Sequence, residues 1–165
     1  MCSNGTMQSP IDLFDLRVQA VSQLEKIRKS YKPSTATLKN RGHDIMLKWR
    51  SGAAGFIEIN RTRYLLQQCH WHSPSEHTVN GRRFDLELHI VHQSRTGQIA
   101  VIGIMYRIGM SDSFLSAMAS RIRAIANSTK QERTVAGVVD PRRRIRISSK
   151  QYYKYIGSLT VPPCT

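Results

Sequence analysis

Two stretches of this chain, Tyr64-Leu-Leu-Gln-Gln-Cys-His-Trp-His72 and Phe84-Asp-Leu-Glu-Leu-His-Ile-Val-His92, alternate in chemistry with a period of two. That period belongs to β-strands, where side chains two apart point to the same face. One face of the first stretch therefore collects Gln68, His70 and His72, and one face of the second collects Glu87, His89 and Val91. Asn80-Gly81 lies between them, a dipeptide suited to the tight turn that returns one strand antiparallel beside another. Two such strands set side by side would gather polar side chains on one face of a sheet.

The remaining pattern agrees. Short apolar or alternating runs occur at 36–39, 44–49, 56–59, 100–106 and 152–159, punctuated by Asn40-Arg-Gly42, Ser51-Gly52 and Thr96-Gly97. One segment has helical spacing instead. After the cap-like Ser111-Asp-Ser113, apolar residues recur at Phe114, Leu115, Met118, Ile122, Ile125 and Ala126, with arginines between them. The fold class is mainly β with peripheral helix. With 165 residues, 40% of them hydrophobic, and no repeat or linker, residues 1–165 read as a single domain with a real core.

Charge is lopsided, with 25 Lys and Arg against 11 Asp and Glu. Residues 121–154 hold ten basic side chains against Glu132 and Asp140. The run Arg142-Arg-Arg-Ile-Arg146 invites a nucleic-acid reading. No zinc finger, RNA-binding sheet motif or heptad-flanked basic helix accompanies it, so a solvated basic surface is the better account and no specific nucleic-acid partner is expected. No stretch approaches the ~20 apolar residues of a membrane helix.

Cys2 and Cys164, at opposite ends, would suit one long-range disulfide in an oxidising compartment. Cys69 points away from the histidine face and is expected to be a buried, inert thiol. The sequons at Asn4, Asn60 and Asn127 are glycosylation candidates that fit a secretory route, extracellular or plastid. No signal peptide is visible at Met1.

His70 and His72 converge on one point, and a neighbouring strand carrying His89 would close a three-nitrogen site with one coordination position open. That is the pattern of a catalytic zinc. Gln68 and Glu87 stand where a ligating imidazole needs an oxygen for its other N–H. Zinc held by three neutral histidines lowers the pKa of its water to about 7, which supplies a hydroxide nucleophile. A rival site exists on paper: His70-x-His72-x-x-x-Glu76 followed by Gly81 is similar to the first cupin motif, in which the Glu itself binds manganese or iron. The second cupin motif is absent ahead of His89, and the rival loses.

Met7-Gln-Ser-Pro-Ile-Asp12, Asn40-Arg-Gly-His43, Gln68-Cys-His-Trp-His72, Ser75-Glu-His-Thr78, Glu87-Leu-His-Ile-Val-His92 and Gly157-Ser-Leu-Thr-Val-Pro-Pro163 stand in the order found in α-class carbonic anhydrases. The chain resembles that family, and its plant members most, along nearly its whole length. The resemblance implies a large, mostly antiparallel central sheet with peripheral helices, and Zn2+ on His70, His72 and His89, supported by Gln68 and Glu87. It implies reversible hydration of CO2 to bicarbonate and a proton by zinc-bound hydroxide. Thr160 would orient that hydroxide while donating to Glu76, and His43 would shuttle the proton. Val91, Val101 and Leu159 would form the apolar wall for CO2, while His77 and His92 match positions that look structural. The Cys2–Cys164 pairing also matches a family disulfide.

The sequence departs from the family in three places. Val161 replaces a second hydroxyl residue on the polar side of the substrate site, so altered anion affinity is expected. Met46 and Arg41 stand where amides often line the cavity. Family members also continue past Pro-Pro-Cys164, so the resemblance leaves C-terminal strands missing and an N-terminal segment absent. The alternative function is therefore a catalytically inactive fragment, or a storage or binding relative that retains the zinc ligands. Oligomeric state is not legible.

Overall fold

The computed structural model describes residues 7–17, 27–126, 132–143 and 152–160. In chain order the strands are β1 (Asp12–Leu13), β2 (Arg28–Tyr31), β3 (Ser34–Asn40), β4 (Ile45–Trp49), β5 (Gly55–Ile59), β6 (Thr62–His72), β7 (Thr78–Val79), β8 (Arg82–Arg83), β9 (Leu86–Ser94) and β10 (Ile99–Tyr106). Helix α1 (Ser113–Ala126) and strand β11 (Glu132–Val139) follow. Eight strands form one antiparallel sheet in the order β10-β9-β6-β4-β3-β11, with β5 also paired to β6 and β2 to β5. The small sheet β1-β7-β8 lies apart. This is the mainly β class that the alternation indicated and the mostly antiparallel central sheet that the resemblance implied.

Turn chemistry fixes the register. β5 returns into β6 through Asn60-Arg61, both at positive φ (48° and 61°), the mirror-image turn whose twist matches paired strands. Asn80 and Gly81 adopt the same conformation, but the hairpin they close is β7–β8, a detour between β6 and β9. The two histidine strands still pair antiparallel. Gly55 sits at φ 99° beneath β2, and a Cβ there would collide with the Ser30 carbonyl.

One irregularity decides which side of the sheet each residue of β6 occupies. Pairing with β9 runs Tyr64↔Ser94, Leu65↔Gln93 and Leu66↔His92, then resumes at Gln68↔Val91, so Gln67 is an extra residue in a bulge. Before it, Tyr64 and Leu66 face the core; after it, Cys69 and Trp71 do. The bulge thus reverses the parity and leaves Gln68, His70 and His72 on the opposite face.

The core comprises Leu38, Leu47, Trp49, Ile57, Leu66, Cys69, Trp71, Leu88 and Ile90, with Met118 and Ile125 of α1 against them. Asp112 caps α1, its Oδ1 accepting from the Phe114 and Leu115 amides, both at 2.9 Å. At the other end, buried Asn40 donates through Nδ2 to the Ile125 and Ala126 carbonyls (3.0 and 3.1 Å). Cys69 is buried and free, and burial pushes its thiol well up, as expected for an inert thiol.

Two strands of the large sheet escaped the sequence pattern, as did the three short strands of the small one. β2 is mostly charged and exposed, stabilised by pairing rather than by an apolar face. β11 pairs with β3 across a register shift between Thr134 and Val138. One expectation needs correction: residues 152–159 form no strand. Their alternating tyrosines are tied down by side-chain hydrogen bonds, Tyr153 to Asp15 and Tyr155 to His77 and Ser9. Among the described residues no helix is long and apolar enough to cross a membrane. Cys2, Cys164, Asn4, Asn127 and Val161 lie outside the described residues, as does most of the basic run after Arg143. Asn60 is exposed on its hairpin turn.

Candidate metal centre

Two cross-strand rows build the site. One runs Met46–His70–His89–Gly103 across β4, β6, β9 and β10, and its neighbour runs Lys48–Gln68–Val91–Val101. His72 extends the first face by one step along β6 and stands opposite Glu87. The rings of His70, His72 and His89 are mutually 4.9–5.2 Å apart between centroids. Each offers a ligand atom, and these atoms all lie within 4.8 Å of one another.

Hydrogen bonds assign the free nitrogens. His70 Nδ1 donates to Gln68 Oε1 at 2.8 Å, which leaves Nε2 as its lone-pair atom. His89 Nε2 donates to Glu87 Oε1 at 2.6 Å, which leaves Nδ1. His72 Nε2 is buried with no hydrogen-bond partner. Burial pushes His70 down to about 3, assisted by the neighbouring His89, and burial likewise lowers His72. Low-pKa imidazoles with lone pairs facing one point are what a divalent cation requires. The orphaned His72 nitrogen, buried where an apolar environment penalises unmet polar atoms, is satisfied by the same occupant. The donor set fits a zinc ion.

Glu87 is fully buried and saturated. Its Oε1 also accepts from His77 Nδ1 (2.7 Å), and its Oε2 from the Glu76 and His77 amides (2.8 and 2.9 Å). Burial alone would raise its pKa, but the hydrogen bonds from His77 and His89 hold it far below the carboxylate range. His77 thus joins the support of the site. Its Nε2 meets the Tyr155 hydroxyl at 2.6 Å, and that hydroxyl meets Ser9 Oγ at 2.8 Å. Neither Tyr155 nor Ser9 was legible as a site residue, because each lies more than 65 positions from His77. His92 is separate, buried between the Tyr31 hydroxyl (2.8 Å) and the Ala100 carbonyl (3.2 Å).

Glu76 Oε2 lies 3.5 Å from His72 Nε2 and 3.8 Å from His89 Nδ1, and is buried without a hydrogen-bond partner. The expected hydrogen bond between Thr160 and Glu76 is therefore not made at that oxygen. Val91 and Val101 are cross-strand partners beside Gln68, and Val101 is 46% exposed, so this apolar wall is open on one side. Leu159 is half-buried. His43 is exposed, with Nε2 3.6 Å from Asp44 Oδ2. Asp44 was overlooked in the sequence. Burial would raise its pKa, but the fork from Arg41 lowers it, and Arg41 is thereby turned to Asp44.

The family model for eukaryotic-type carbonic anhydrase matches residues 1–165. Alpha carbonic anhydrase 2 of Arabidopsis thaliana is 54% identical over 165 residues, covering all of this chain and 66% of the relative. Among solved structures, dioscorin complexed with ascorbate superposes with a TM-score of 0.90 at 46% identity, over 98% of this chain and 66% of that one. A hyperthermostable carbonic anhydrase from an active hydrothermal vent chimney gives 0.84 at 31% identity, over 98% and 68%. The chain thus spans about two thirds of the length of these proteins.

Proposed function

The chain belongs to the eukaryotic-type carbonic anhydrase family, and from that premise we propose that it hydrates CO2 reversibly at a zinc ion held by His70, His72 and His89. One observation carries the proposal: three imidazoles present free nitrogens to a single point while Gln68 and Glu87 occupy the opposite nitrogens of two of them. Zinc, when bound, supplies the Lewis acidity that makes a nucleophile of water at neutral pH. That magnitude is established on carbonic anhydrases themselves.

The protein's own groups supply the rest. Val91, Val101 and Leu159 give an uncharged substrate an apolar surface beside the polar centre. Glu76 places a carboxylate oxygen within 4 Å of two ligand nitrogens, where it orients donors entering the site. Thr160 is assigned the matching hydroxyl. His43, exposed beside Asp44, accepts the released proton and passes it to buffer. Val161 is assigned the product side, where loss of a hydroxyl weakens anion binding. The closing measurement is zinc stoichiometry together with stopped-flow CO2 hydration, repeated on His89→Ala. Hydration that survives the loss of zinc would sink the proposal.

The likeness to dioscorin, and Glu76 Oε2 left without its hydroxyl partner, favour a second reading. In it the chain keeps the metal and binds small molecules without turning CO2 over. Near-stoichiometric zinc with no hydration would select that reading. A secretory route is proposed with either reading, with a Cys2–Cys164 disulfide and a glycan at Asn60. Two free thiols at Cys2 and Cys164, and an unmodified Asn60, in protein from a secreting plant cell would count against it.

A further inference from the structure

The hydrogen bonds behind His89 do not end at Glu87. A carboxylate only accepts, so His77 Nδ1 and His89 Nε2 both carry the hydrogens that meet Glu87 Oε1. A singly protonated His77 then has Nε2 as acceptor, and the Tyr155 hydroxyl donates to it. Tyr155 in turn accepts from Ser9 Oγ. The sequence Ser9, Tyr155, His77, Glu87, His89 is thus one chain of four contacts between 2.6 and 2.8 Å, with donors from both sides converging on Glu87. It ends at the ring nitrogen opposite the one His89 offers a metal.

A second observation shows that the outer end of this chain is built. Ser9 and Tyr155 belong to segments outside the main sheet, yet the Ser9 amide donates to Ser158 Oγ at 3.0 Å. Between Tyr155 and Ser158 stands Gly157, where a Cβ would collide with Ser9 Oγ and the Tyr155 ring. A side chain at this position would force Ser9 Oγ and the Tyr155 ring to move.

We infer that Tyr155, supported by Ser9, is a positioning residue for the metal. By fixing His77 it holds Glu87, and through Glu87 the orientation of His89, so docking of residues 152–160 onto the segment around Ser9 sets the metal affinity of a site on β6 and β9. The inference rests on the zinc reading above. Removing the Tyr155 hydroxyl leaves His77 Nε2 without its donor and frees the imidazole to turn. Glu87 then loses a fixed donor, and His89 loses its fixed direction. Outer partners of metal ligands typically contribute ~10–100-fold in affinity. Tyr155 is one link further out, and about tenfold is expected.

The test uses the full chain, zinc competition against a chromophoric chelator, and the visible spectrum of the cobalt-substituted protein, which reports ligand geometry. Tyr155→Phe is compared with Tyr153→Phe, which removes a hydroxyl from the same segment that bonds Asp15 and has no link to the histidines. The expected result is about tenfold weaker zinc binding and an altered cobalt spectrum for Tyr155→Phe, with Tyr153→Phe like the parent. Gly157→Ala should follow Tyr155→Phe. Equal affinities for parent and Tyr155→Phe, or an equal loss in Tyr153→Phe, overturn the inference while leaving the zinc reading intact. A parent protein that binds no zinc overturns both. Should Tyr155→Phe fail to fold, Ser9→Ala decides, a several-fold loss supporting the inference and unchanged affinity and spectrum refuting it.

Discussion

Glu87 and His89 stand two apart on β9 and meet at 2.6 Å, with the carboxylate fully buried and the imidazole nearly so. That contact fixes which nitrogen of His89 faces the other two histidines. It also makes Glu87 a structural group in its own right, because four donors converge on it.

Glu87→Gln keeps the volume but turns an amide N–H2 toward at least one of those donors. A buried donor left unmet costs about 1–3 kcal/mol. We predict that loss in urea denaturation of the metal-free protein, with zinc affinity falling ~10–100-fold. Full stability together with full affinity would show that Glu87 does neither job.

His72 and His89 should separate stability from binding. His72 Nε2 has no partner, so His72→Ala removes an unsatisfied polar atom and is expected to leave metal-free stability within about 1 kcal/mol. His89→Ala strips a donor from buried Glu87 and should cost more, about 1–3 kcal/mol. Both variants should lose zinc. Calorimetry of the metal-free proteins gives the comparison, and the reverse order would contradict the hydrogen-bond assignment.

Metal should stabilise the fold by mass action. At a free zinc concentration of ~100 times Kd the gain is about 2.7 kcal/mol. A chelator should therefore lower the melting temperature of the parent and leave His72→Ala unmoved. Equal melting temperatures with and without chelator would exclude a site that forms only in the folded state.

His92 predicts an acid limb to stability. Burial pushes it down to about 4, and it is held as acceptor from Tyr31 and donor to Ala100. In the unfolded chain a histidine takes up its proton below ~6.5. Between those values the unfolded state binds more protons, so stability drops as pH falls, by ~1.4 kcal/mol per unit from this group. Above ~6.5 the group adds no slope. His92→Gln should remove one proton's worth of slope from the urea series, and an unchanged slope would show that His92 charges freely in the fold.

Asn40 links helix to turn. Its amide caps two carbonyls at the end of α1, while its Oδ1 accepts from the Gly42 amide at 2.8 Å, just before His43. Asn40→Ala is expected to cost about 1–3 kcal/mol. It should also slow CO2 hydration in dilute buffer more than in concentrated buffer, since an external base replaces a misplaced proton carrier. An equal slowing in both buffers would detach Asn40 from His43.

Much of this was legible because period-two alternation is a local property. It placed Gln68, His70 and His72 on one face, and Glu87 and His89 on another, without any knowledge of pairing. Register is not local. The match of His70 with His89 depends on the Gln67 bulge, and the sequence Gln67-Gln68 carries no mark of which residue is the extra one. Strand β2 was missed because its Arg28-Lys29-Ser30 gives no apolar rhythm. Residues 152–159 misled in the opposite direction, since alternation there serves side-chain anchoring and not a ladder. Contacts such as Tyr155 with His77 join positions that no window spans.

The bulge at Gln67 has a further meaning for how this chain can vary. A strand has two sides, and a residue count decides between them. Removing Gln67 would change no chemical group that touches the metal centre. It would leave Leu66 opposite His92 and Gln68 opposite Val91 as consecutive pairs, so the imidazoles keep their side, whereas drawing Gln67 into the regular ladder would turn them inward and set Cys69 and Trp71 in their place. Substitutions along β6 can be graded, but whether Gln67 bulges out or takes a place in the ladder is all or nothing. The chemistry of the site is stored in the parity of a count as much as in three histidines.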